Sequence, residues 1–145
     1  MAVADLGAPT VPSAARAVRE RLPGTLPAAH AALLVTGEAD AFALTGGWAG
    51  VAAVVGAGPL LVLEAGDDPF AALDRLPALA PGSDPGVALG GGWFGALGYA
   101  LGARTEPMVP APPRTLRLPE APLAFFDHLL VCDRAGSWWF EALST

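Results

Sequence analysis

Three sets of residues have the types and spacing that could do chemistry. Gly90, Gly92 and Gly95 satisfy the glycine spacing of a dinucleotide-binding turn. That turn needs a strand before it, a helix opening inside it and a ribose-binding acid about 20 residues on. Here Trp93 and Phe94 fill the gap between the second and third glycines, where bulk would obstruct a pyrophosphate. His128 and Cys132 suggest a thiol–imidazole nucleophile. On a strand rising about 3.3 Å per residue they stand roughly 13 Å apart, beyond hydrogen-bond reach, so both are expected in the core. Asp127, Asp133, Glu106 and Glu120 are the carboxylates open to acid–base work, and each has a turn or surface explanation. His30 sits among alanines with no second ligand nearby. Neither catalytic nor metal-ligating residues are expected.

Composition narrows the classes further. All eight basic residues are arginine, and the absence of lysine removes phosphate-loop, Schiff-base and kinase-type sites. A net charge of −6 repels nucleic-acid backbones and anionic membrane surfaces. Cys132 is the only cysteine, which excludes an intrachain disulfide or a cysteine zinc site and fits a reduced, cytoplasmic setting. No charge interrupts residues 41–63, but Pro59, five glycines and acidic flanks argue for buried strands over a membrane span.

The elements that must position these residues follow from patterning. One domain is expected over 1–145: an amino-terminal helix and linker over 1–24 and a core sheet region over 40–145. Ser13 as N-cap, with Ala14, Val18 and Leu22 at spacing four, predicts a helix over 13–22. Residues 27–35 are ambiguous between helix and strand. FALTG, WAGVAAVVG and PLLVLEA read as an antiparallel meander. Asp68-Pro69 opens a helix with Phe70, Leu73 and Leu76 inward, ended by Pro77. PGSDPG, 81–86, is a surface turn with no site chemistry. LAFFDHLLVCD, 123–133, is a strand buried on both faces, with Leu123, Phe125, Leu129 and Val131 one way and Ala124, Phe126, Leu130 and Cys132 the other. A turn at 133–136 returns SWWFEAL as its hairpin partner. Trp138, Trp139 and Phe140 are expected to contribute to an exposed apolar patch that favours dimerisation or dye binding.

The order GGWFGALGYALGARTE, then PMVPAPPRTLRLPE, then LAFFDHLLVCDRAGSWWFEAL resembles the amino-terminal domain of the chorismate-utilising enzymes. Component I of aminodeoxychorismate (para-aminobenzoate) synthase is the nearer pattern, with anthranilate synthase component I next. Matching positions include Gly91, Gly92, Gly95, Gly98, Tyr99, Arg104, Glu106, Leu118, Pro119, Phe126, Asp127, Val131 and Asp133. DDPFAALDRL and ALTGGWAG support it, so the resemblance spans roughly 40–143. It implies an α+β fold, mostly antiparallel sheets packed sandwich-like with two or three short helices. Gly92, Gly95, Gly98, Tyr99 and Asp127 would be structural, the glycines admitting a neighbouring backbone while the aromatics fill the other face. Arg104 and Glu106 would end a short helix.

Family members with a tryptophan pocket would place it at Leu44, Thr45, Gly46 and Trp48. The family's serine there aligns with Gly46, or with Thr45 if the register slips by one. The family's acidic residue after the Gly-Tyr pair is replaced by Ala100. In the family, chorismate, magnesium and the catalytic residues belong to a carboxy-terminal domain that this sequence does not include, so no cofactor is expected in this chain. The implied role is a non-catalytic scaffold, in folate or tryptophan biosynthesis, for that catalytic domain and a glutamine amidotransferase subunit.

Overall fold

The computed structural model describes residues 10–107 and 118–145. Parts of the expected amino-terminal segment (1–9) and of the proline-rich connection (108–117) lie outside the described residues. Among the described residues nine strands form two sheets. In chain order they are β1 (Ala14–Arg21), β2 (Phe42–Trp48), β3 (Val51–Gly56), β4 (Leu61–Val62), β5 (Ala78–Leu79), β6 (Gly92–Gly95), β7 (Leu123–Phe126), β8 (His128–Cys132) and β9 (Trp138–Ser144). The large sheet runs β2-β3-β8-β9-β1-β5 and the small one β4-β7-β6. Every pairing is antiparallel except β1 with β5. One α-helix, α1 (Pro69–Leu73), and two 3₁₀ helices, Ala28–Val35 and Tyr99–Arg104, complete the described elements. The chain is therefore α+β, with mostly antiparallel sheets and few short helices.

The predicted amino-terminal helix is a strand. Ala15 and Ala17 are buried while Arg16 between them is exposed, so the segment also carries a period of two. Six paired positions with β9, from Arg16↔Ser144 to Arg21↔Trp139, give it partners that an isolated helix would lack. Pairing across the sheet overrides the local preference of an alanine- and arginine-rich stretch. The 3₁₀ helix Ala28–Val35 resolves the ambiguous segment; Ala31, fully buried, packs with Ala53, Val55, Cys132 and Trp138.

The expected meander holds for two strands only. β2 and β3 form a hairpin closed by Ala49 and Gly50, both at positive φ, a two-residue turn that suits the twist of the strands. β4 departs to pair with β7 in the small sheet. Helix α1 starts as the sequence predicts: the Asp68 carboxylate accepts from the Phe70 amide at 3.0 Å and Pro69 follows. Its buried residues are Pro69 and Ala72, not the expected Phe70–Leu73–Leu76 stripe, because the helix ends at Leu73 and Leu76 lies beyond it, exposed.

The expected single strand at 123–133 is broken. β7 belongs to the small sheet and β8 to the large one, with Asp127 between them. The break resets the alternation, so Phe126 packs with Leu129 and Val131 instead of opposing them. Beyond it, Leu130 and Cys132 join the cluster under the 3₁₀ helix, and β8 is covered on both faces as its apolar residues require. The hairpin partner is β9, in register from Cys132↔Trp138 to His128↔Ala142. Trp138 is not part of an exposed patch: it is 4% exposed, and its indole N–H donates to the Leu26 carbonyl at 2.6 Å. Trp139 and Phe140 are partly buried. No helix among the described residues is long and apolar enough to cross a membrane.

Candidate functional site

The glycine stretch lies on the small sheet. β6 pairs with β7 from Gly92↔Phe126 to Gly95↔Leu123. Contact with the chain ahead of β7 continues as the Ala96 amide donates to the Pro122 carbonyl at 3.2 Å and the Gly98 amide to the Glu120 carbonyl at 2.7 Å. Three glycines leave no room for a side chain on this path. A Cβ at Gly91 would stand 2.5 Å from the Phe126 carbonyl oxygen, and one at Gly98 would stand 2.8 Å from that of Glu120. At Gly95 it would collide outright with the Pro122 carbonyl. Gly92 differs: its φ is +140°, but nothing lies within 4 Å of the Cβ position.

These glycines therefore sit at and within a strand, and the next helical residues begin only at Tyr99. No helix opens among Gly90, Gly92 and Gly95 to receive a phosphate. Tyr99 is 84% exposed at the start of the second 3₁₀ helix, and Arg104 at its end pairs with Glu120 at 3.0 Å.

Aromatic rings fill the opposite side. Phe42 of β2 stacks on Phe94 of β6 with centroids 4.3 Å apart, and Phe126 meets both edge-on at 5.0 and 5.9 Å. Edge-to-face and offset contacts of this kind suit the ring quadrupoles. A Cβ on Gly56 would press into the Phe42 ring and stand 3.0 Å from Phe126. The trio joins the large sheet to the small one.

The nucleophile pair does not assemble. Cys132 is fully buried, and burial, with Asp133 adding to it, raises its thiol above the usual range. His128 lies at the other end of β8, its Nδ1 2.7 Å from Asp127 Oδ1, with both side chains partly exposed. A low thiolate fraction and no water access predict that iodoacetamide at neutral pH leaves Cys132 unmodified in the folded chain and labels it fully in denaturant. Rapid native labelling, read by mass spectrometry, would contradict that placement.

Of the other candidate carboxylates, Asp133 is held by its own turn. Asp133 accepts from the Ala135 and Ser137 amides and, through Oδ2, from the Trp139 indole at 2.9 Å. The indole bond leads the causes that hold its carboxyl below the ordinary value of 3.8. A depressed folded value means that its contribution to stability is present above pH 3.8 and lost as pH falls through the folded value. The melting-temperature advantage over Asp133→Asn should therefore be constant from pH 7 to pH 5 and shrink below the ordinary carboxylate value. An advantage that grows on acidification would contradict the linkage.

Leu44, Thr45, Gly46 and Trp48 lie along β2, an edge of the large sheet; Leu44 is half-buried and the other three are exposed. His30 is exposed on the first 3₁₀ helix. Among the described residues no group of three or more His, Cys, Asp or Glu side chains is placed to hold a metal.

Sequence reasoning missed Glu141. It is fully buried on β9 and accepts from the Ala88, Leu89 and Gly90 amides at 2.9–3.2 Å, with Arg19 Nε 3.4 Å away. Arg19 also lies 3.9 Å over the Trp139 ring and donates to the Gly86 carbonyl. One acid inside the apolar run SWWFEAL was the available signal. The turn at 81–86 is tied to the same region: Ser83 Oγ accepts from the Ala17 amide, and the Asp84 amide donates to the Ala17 carbonyl.

Fold and site together define an α+β protein whose candidate site is a tightly packed glycine strand, with no metal-holding group among the described residues. No family model, curated protein or solved structure matches the chain.

Proposed function

We propose that the chain is a non-catalytic amino-terminal domain of an aminodeoxychorismate synthase component I-like protein, with the sandwich architecture of that family's amino-terminal domain. It scaffolds a chorismate-binding catalytic domain and a glutamine amidotransferase subunit in the cytoplasm. Chorismate amination, with magnesium, is the work of the catalytic partner. The observation that carries this reading is the pairing of residues 92–95 with residues 123–126. The two stretches that bear the sequence resemblance are neighbours in one sheet, and glycines stand where their backbones approach most closely.

Light scattering on the full chain mixed with such a catalytic domain and amidotransferase tests the reading. A defined complex is expected, and no turnover of chorismate by the chain alone. Failure to bind either partner, or amination by the chain alone, would overturn it.

The same resemblance supports a second reading, the amino-terminal domain of an anthranilate synthase component I or a regulatory module that binds an aromatic amino acid such as tryptophan at Leu44, Thr45, Gly46 and Trp48. The exposed Thr45 and Trp48 on one edge strand are the feature in its favour. Calorimetry separates the two: the scaffold reading predicts no heat with millimolar tryptophan, and saturable heat abolished by Thr45→Val would favour the regulatory one.

A further inference from the structure

We propose that the uncovered half of the large sheet's outer face binds a second copy of this chain, making a two-fold dimer. Strand register defines that face. Val18, Ala142 and His128 form one row across β1, β9 and β8, and Glu20, Phe140 and Leu130 form the next. Arg16 and Ser144 make the row on the other side of Val18. The small sheet packs on the opposite face, through Val54, Leu129 and Val131. The 3₁₀ helix Ala28–Val35 covers only the far end of the outer face, over Ala53, Val55, Cys132 and Trp138. An antiparallel sheet that faces water carries polar residues there. This one carries Val18, Ala142 and Phe140, which are partly buried and, among the described residues, belong to neither core cluster. The Phe140 ring has His128 beside it, with centroids 6.0 Å apart.

Charge complementarity selects a second copy as the occupant. Along β1 the outer face reads Arg16, Val18, Glu20, with both charges exposed, about 13 Å apart and not paired with each other. Strands of two packed sheets run within about 30° of each other. A two-fold axis lying along the Val18–Ala142–His128 row reverses β1 of the copy. Arg16 of each protomer then stands over Glu20 of the other, and Val18 and Ala142 meet their own counterparts at the centre. The face is its own complement, as a two-fold contact requires. Arg16 Nε donates to the Gly82 carbonyl at 2.8 Å, which holds the stem in place at the edge of the face. The described neighbours of 1–9 and 108–117 lie in the other layer: Thr10 lines a cavity with Leu61 and Trp93, and the Glu120 carbonyl accepts from the Gly98 amide. The dimer is independent of the scaffold reading and stands or falls separately from it.

Sedimentation velocity of the full chain is the test. A reversible monomer–dimer equilibrium is expected, with half of the chains paired at or below about 100 μM. Arg16→Glu or Glu20→Arg alone should weaken it by about tenfold or more, because each places like charges against each other twice in the contact. Both positions are exposed, so the variants should keep the fold. The double variant restores both pairs with their sense reversed and should recover most of the original affinity. That rescue separates a contact between copies from a change within one chain. A chain that stays monomeric at that concentration, a dimer indifferent to both single reversals, or a double variant no better than the singles would overturn the proposal. So would a monomeric chain whose single variants lose binding to the catalytic domain, since the face would then belong to that domain.

Discussion

Gly95→Ala is expected to destabilise the chain by about 3 kcal/mol or more, a large part of the stability of an ordinary domain. The added methyl would meet the Pro122 carbonyl, which is backbone and cannot rotate away, and Leu123 Cα lies 3.0 Å from the same point. To make room, β6 and β7 would have to separate along their shared ladder. The φ of Gly95, +148°, adds conformational strain. Gly92→Ala is the control that divides these effects. Gly92 has a φ of +140° with open space around its Cβ position, so only the conformational cost, about 1–2 kcal/mol, is expected there. Urea unfolding midpoints measure both variants. Equal losses would mean that backbone conformation alone explains these glycines and that close approach contributes nothing.

The second large effect is at Glu141. Glu141→Ala removes the acceptor for three backbone amides and the partner of Arg19, all without replacement. Stranding buried donors and one charge costs about 3–5 kcal/mol. Glu141→Gln keeps one acceptor oxygen and the shape, so its loss should be smaller, about 1–2 kcal/mol. Hydrogen exchange gives the local signature: the amides of Ala88, Leu89 and Gly90 should lose protection before the β8–β9 ladder does. Uniform loss of protection across the sheet would show that Glu141 acts on packing generally and not on the segment leading into β6.

Much of the large sheet was legible because its strands carry their own signals. The β8–β9 hairpin follows from the turn at 133–136 and the apolar runs on either side. Helix α1 follows from Asp68-Pro69. What failed did so for physical reasons. SAARAVRERL fits a helical stripe and a strand alternation equally, and only the ladder with β9, more than a hundred residues away, decides between them. The division of 123–133 at Asp127 was hidden because both halves are apolar, and a change of sheet leaves no compositional mark beyond one acid.

The site was legible in a similarly uneven way. The alternation of glycines and aromatics left several readings open and the resemblance implied a close approach; Gly91, Gly95 and Gly98 lie at one, while Gly92 has a positive φ and open space around it. Tyr99, from the same pattern, is exposed. Glu141 escaped because a lone acid in a strand looks like a solvated position until the loop that covers it is in place. The Phe42–Phe94–Phe126 contact joins three segments that no local pattern connects.

Everything proposed for β6 depends on another stretch of main chain running against its glycines. In isotope-labelled protein, nuclear Overhauser contacts between the α-protons of Gly95 and those of Pro122 and Leu123, together with a protected Gly98 amide, are the expected result. A freely exchanging Gly98 amide with no such contacts, or a Gly91–Gly98 segment whose only contacts are those of a helix, would contradict it.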